Sequence, residues 1–166
     1  GRIELVNRHD VSIERLMVTV EPTFTVESLG LPDAALLEHD DELGVRIYRL
    51  EPALAPGAQL AFPFELSFAE PGFKNDGSNS RIVANGTFFD SGYVPHFGYD
   101  PNAELSDPNE RRKRGLPERA RMRPPTDPAA RANTYLTREG DWIRFAATVS
   151  TSKDQIALAP GYLVKE

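Results

Sequence analysis

Apolar and polar residues alternate with period two through most of the first half of this chain, the pattern of strands that bury one face. Residues 2–6 and 12–20 read as the first two strands, the second with an irregularity near Arg15. Residues 23–26 alternate weakly, 29–32 read as a turn, and 34–37 fit a short strand or a helical turn. From Gly44 onward Val45, Ile47 and Arg49 face one way and Arg46, Tyr48 and Leu50 the other, with apolar groups on both faces. Leu54-Ala55-Pro56-Gly57 has the chemistry of a type II turn, Pro56 presetting φ and Gly57 supplying a positive one. The cleanest strand follows: Leu60, Phe62, Phe64, Leu66 and Phe68 alternate unbroken against smaller or polar residues. Pro63 lacks an amide donor, which predicts an edge position or a bulge.

Residues 71–80 are dense in turn formers, and 81–89 read as another strand in which Gly86 marks a bulge. The stretch 82–101 then crowds aromatic residues between glycines and prolines, a seam between strand-like and helix-like halves. Asp107-Pro108-Asn109-Glu110 is a helix start: Asp107 caps, Pro108 fills a first-turn position that needs no N–H, and Glu110 can reach back as in a capping box. Gly115 and Pro117 stop that helix, and Asp127-Pro128 starts a second over 129–133. Two more strands are expected, at 141–150 and 156–164. Seven to nine strands without a long amphipathic helix predict an all-β fold, an antiparallel sandwich or saddle with one or two short helices within 107–133. Residues 1–166 are expected to form a single domain.

Composition narrows the partners more than the chemistry. With 40% hydrophobic and 27% charged residues in 166, the chain can form a folded core. Its net charge of −6 offers no general attraction for nucleic acid or anionic lipid. It has no cysteine, so disulfides, thiolate nucleophiles and Cys-ligated zinc are excluded. No apolar run reaches the roughly 20 residues of a membrane helix.

The three histidines, His9, His39 and His96, show no spacing that places two imidazoles on one helix face, so no metal set is predicted. No nucleophile elbow, phosphate loop or dinucleotide fingerprint is present, and Asp76, Asp90 and Asp100 read as turn formers. Asn85-Gly86-Thr87 matches the short glycan-acceptor pattern. The strongest charge feature is the run Arg111, Arg112, Lys113, Arg114, Arg119, Arg121 and Arg123. It reads as a solvated face, a docking surface for an acidic neighbour, or a contact for lipid headgroups or nucleic acid; it lacks the interleaved aromatics of a nucleic-acid platform. Phe88, Phe89, Tyr93, His96, Phe97 and Tyr99 form either core or an aromatic binding surface.

Several of these segments together resemble a known group. They are Tyr48-Arg49-Leu50, Leu54-Ala55-Pro56-Gly57, Asn85-Gly86-Thr87-Phe88-Phe89, Gly98-Tyr99-Asp100, ERRKRGL at 110–116, Asp127-Pro128-Ala129-Ala130-Arg131, Asp141-Trp142 and Ala159-Pro160-Gly161-Tyr162-Leu163. In order and spacing the chain resembles bacterial proteins that fuse an ABC transporter permease-like membrane region to a zinc aminopeptidase-like region of the alanyl-aminopeptidase family. The resemblance runs from about Gly44 onward, and more loosely from Arg2. It implies the β-rich domain that precedes the catalytic domain, covers the zinc site and helps enclose the substrate peptide. The zinc-binding His-Glu-x-x-His and the amine-binding Gly-x-Met-Glu-Asn belong to the next domain, and neither occurs here. Soluble members carry a Gln/Glu-containing segment near the seam that residues 93–100 do not reproduce, so no family site residue is carried over.

The resulting expectation is a non-catalytic domain, itself no enzyme, that packs on the catalytic domain of the same polypeptide and shapes its cleft. Phe88, Phe89, Tyr93, His96 and Tyr99 would line the cleft or interface, and the basic run would dock. No cofactor is expected in this chain, zinc residing only in the catalytic domain; partners are that domain and the membrane region, with no nucleic acid. Residue 2 starts within a strand pattern and the chain closes just after one, which predicts an excised piece of a membrane-anchored polypeptide with open sheet edges prone to self-association. The domain itself would be soluble, the extracytoplasmic side being favoured. The alternative is an independent extracytoplasmic β-sandwich that binds a ligand or protein through the same aromatics.

Overall fold

The computed structural model describes residues 1–31, 33–69, 82–83, 86–87, 89–100, 104–119, 123–124, 126–132, 143–159 and 161–165. The chain divides into two compact units, Gly1–Asn102 and Ala103–Glu166. The first unit holds all nine strands found among the described residues: β1 (Arg2–Val6), β2 (Ile13–Thr19), β3 (Thr25–Leu29), β4 (Ala34–Asp40), β5 (Val45–Leu54), β6 (Gln59–Ser67), β7 (Ile82–Val83), β8 (Gly86–Thr87) and β9 (His96–Phe97). The protein is mainly β, as the alternation predicts, with two antiparallel sheets ordered β1-β6-β3 and β4-β5-β2-β9, and a two-stranded pair β7-β8.

The two sheets meet through the apolar face of β6. Phe62 is fully buried and packs with Leu16 and Val18 of β2 and Leu50 of β5, while Ile3, Leu5, Leu29, Tyr48, Leu60, Phe64 and Phe97 close around them. Of the two apolar faces of β5, the one bearing Tyr48 and Leu50 turns to this core. Burial raises the Tyr48 phenol above its ordinary range, partly offset by Arg46. The irregularity near Arg15 is a register shift between Ile13 and Arg15 in the β2–β5 ladder.

Asn7 ties the strand ends together. It is buried, and its amide Nδ2 donates to the carbonyls of Val11 (2.9 Å) and Leu54 (2.8 Å), while its Oδ1 accepts from the His9 amide at 3.0 Å. Its backbone pairs with the β5–β6 turn: Asn7 N–H donates to Ala58 O, and Gly57 N–H donates to Asn7 O. That turn has Gly57 at φ 74°, as the Pro-Gly signal predicts.

Residues 34–37 take up the strand rather than the helical turn, as the start of a longer strand, β4, that pairs with β5 as far as Asp40 with a register shift between Leu36 and Glu38. Three other expectations differ from what is observed. Within 81–89 the described residues form two paired strands rather than one: Ile82 pairs with Thr87 and Val83 with Gly86, so Gly86 is a paired position rather than a bulge. Pro63 lies in a central strand, at the point where β6 changes neighbours. β1 pairs with residues 59–63 and β3 with 64–67. The Pro63 carbonyl accepts from Gly30 N–H at 2.7 Å, so its donorless nitrogen also faces the exit of β3, where only one of the two bonds of a pair can form. Lastly, residues 143–150 and, as far as described, 156–164 contain no strand. Ile143, Phe145 and Ile156 are 78%, 75% and 85% exposed; a strand needs a neighbour for its backbone groups, and no ladder reaches these residues.

The second unit carries two short helices, α1 (Pro108–Lys113) and α2 (Pro128–Ala132). Asp107 caps α1 by accepting from Glu110 N–H at 2.7 Å, and Asp127 accepts from Ala129 and Ala130 N–H at the start of α2. Glu110 does not reach back to complete a capping box. Its carboxylate bonds forward to Lys113 (2.7 Å) and Arg114, because two cations one turn on outbid a single backbone amide. Among the described residues no helix is long and apolar enough to cross a membrane.

Candidate functional site

The most distinctive side-chain arrangement is a row of four aromatic rings at one end of the first unit. Phe68 follows β6 and meets Phe24, ring centroids 5.3 Å apart; Phe24 meets Tyr93 edge-on at 5.2 Å and 76°; Tyr93 meets Phe89 at 4.9 Å. These spacings are those of favourable aromatic pairs, each contributing roughly 0.5–1.5 kcal/mol beyond area burial. Local chemistry sets each ring. Phe24 sits on a turn closed by its own N–H donating to Glu21 O. Tyr93 ends a 3-10 turn, Ser91–Tyr93, capped by Asp90, whose Oδ1 accepts from Gly92 N–H at 2.8 Å. The inner three rings are half-buried, while Phe89 is 70% exposed, so the row opens to solvent at one end.

This row gathers two of the predicted aromatics, Phe89 and Tyr93. His96 is exposed in β9 opposite Thr19, and Tyr99 is 65% exposed beyond it. Phe97 turns inward and stacks edge-on against Phe62, centroids 5.0 Å apart. Phe88 lies outside the described residues. Phe24 and Phe68, 44 positions apart in sequence, join the row by tertiary packing; their trace in the sequence is that each sits at the outer end of an apolar strand pattern.

The basic run of the second unit is largely engaged with its own neighbours. Arg111 is buried, donating Nε to Pro117 O and Nη1 to Leu105 O, both at 2.8 Å, with Glu104 3.6 Å away. It acts as a pin for the loops flanking α1 rather than as an exposed cation. Lys113 and Arg114 share Glu110, whose carboxyl they hold below its ordinary value. Arg119 approaches Glu104 at 3.6 Å, and Arg123 pairs with Asp127 at 2.6 Å. Among the described residues Arg112 reaches only Asn109, at 3.4 Å, and Arg121 lies outside them.

A third feature lies on the outer face of the four-stranded sheet. Glu38, His39 and Asp40 of β4 with Val45 and Ile47 of β5 line an open hollow of about 340 Å³. His39 Nε2 stands 3.0 Å from the carboxylate of Asp41. Among the described residues no three His, Asp or Glu side chains gather in a metal-holding group. The chain matches no known protein family, curated protein or solved structure with which it was compared.

Proposed function

We propose that this chain is a non-catalytic β-rich domain that packs against a catalytic module of the same polypeptide and shapes its substrate cleft, as its resemblance to the domain preceding aminopeptidase catalytic domains suggests. The observation that supports the reading is the aromatic row ending on exposed Phe89. Tyr93, backed by Phe24 and Phe68, packs against the exposed Phe89 ring, which suits an anchor for apolar side chains of a neighbouring module or of a peptide at its rim. On this reading zinc and the acid–base groups reside in the neighbouring module, and that module and the membrane region are the partners. Arg112, whose partner among the described residues is the neutral Asn109, is the cation of the run that suits an acidic neighbour.

The test compares short and long peptide substrates in the polypeptide that carries the catalytic module. Phe89→Asp is expected to slow cleavage of long peptides about tenfold, the scale of one lost aromatic anchor, and to leave a single-residue chromogenic substrate unchanged. Peptidase turnover by the present chain alone would sink the reading. The second reading, an independent extracytoplasmic ligand- or protein-binding sandwich, rests on the same exposed ring. A saturable thermal shift of the isolated chain by an aromatic small molecule, abolished by Phe89→Asp, would favour it.

A further inference from the structure

We propose that two copies of this chain associate by strand addition, residues 143–150 of one copy pairing with the free edge of β4 in the other. This does not rest on the catalytic-module reading. β4 ends the four-stranded sheet, and among the described residues nothing pairs with its outer edge. Its core-side residues Ala34 and Leu36 stand opposite Leu50 and Tyr48, yet Leu36 is 51% exposed, so the core is uncovered along this edge. The register shift between Leu36 and Glu38 turns the strand over, so Glu38 and Asp40 stand on the other face, opposite Ile47 and Val45, and rim the 340 Å³ hollow with negative charge. The edge therefore asks for a strand that is apolar on one face and basic on the other.

The same chain carries one. In residues 143–150, Ile143, Phe145, Ala147 and Val149 share one face and Arg144, Ala146, Thr148 and Ser150 the other. Ile143 and Phe145 are among the most exposed large apolar side chains in the described chain, and no ladder includes them. Laid along β4, the apolar face continues the core over Leu36 and Ala34, and Arg144 falls on the face of Glu38 and Asp40. Main-chain bonds supply affinity and the alternating side chains supply register. The edge of β1 fits less well, because Arg2 and Glu4 already neutralise each other there, at 2.8 Å. Reciprocal donation closes a twofold dimer, whereas one-way donation builds a longer assembly.

Sedimentation of the full chain from about 1 to about 100 µM tests this, since association by mass action grows with concentration. The expected result is reversible association that Leu36→Lys or Phe145→Lys each abolishes, with the circular dichroism of the first unit unchanged, since both side chains are exposed. Arg144→Glu should weaken association about fivefold, and combining it with Glu38→Arg should restore it, as expected of one exposed charge pair. A chain that stays monomeric throughout, association that survives both lysine substitutions, or a charge reversal without recovery would overturn the proposal.

Discussion

Gly44 shows how one position can decide a hairpin. It closes the turn between β4 and β5 at φ 65°, and its carbonyl accepts from Val20 N–H at 2.9 Å. A Cβ there would collide with the Val20 carbonyl oxygen, so both the backbone angle and the space require glycine. Gly44→Ala is expected to lower unfolding stability by about 2–3 kcal/mol, read as a shifted denaturant midpoint at unchanged slope. Arg111 makes the complementary point for charge. Its sequence neighbours mark it as one more exposed cation, and its burial follows from two backbone carbonyls that the sequence pattern does not reveal.

Elements built from local rules were legible, and those built from distant partners were not. The start of α1 follows from Asp107 and Pro108, and β6 follows from its unbroken alternation, because both signals are contained in adjacent residues. β4 reaches Asp40 only because β5 pairs with it, and residues 143–150 have strand pattern without a strand because pattern alone supplies no partner. The aromatic row was half legible for the same reason: Phe89 and Tyr93 lie four positions apart, whereas Phe24 and Phe68 join by tertiary packing. Within α1, Glu110 sets a pH dependence. Its folded pKa lies below the ordinary 4.5, so the contacts with Lys113 and Arg114 support the helix fully above that value and are lost as pH falls through the depressed folded pKa. An NMR titration should show the Glu110 carboxyl titrating below 4.5, with Glu110→Gln removing the acid-dependent change in α1 shifts; titration at or above 4.5 would contradict this.

At the scale of the whole molecule, the two units differ in what holds them. The first has a core centred on Phe62, while the buried side chain identified in the second is the charged Arg111. Phe62→Ala is therefore expected to destabilise the first unit by about 3–5 kcal/mol, the cost of a large cavity. Hydrogen exchange should record the loss in β2, β5 and β6 while α1 and α2 keep their rates; equal acceleration in both units would show that they unfold as one. Pro63 sets where β6 changes partner. In an antiparallel ladder the N–H and C=O of one residue point to the same neighbour, and Pro63 offers the β3 side only its carbonyl, which accepts from Gly30 N–H. The β3 ladder therefore runs out at residue 63, and residues 59–63 of β6 pair with β1. A single missing hydrogen thus divides one strand between two neighbours.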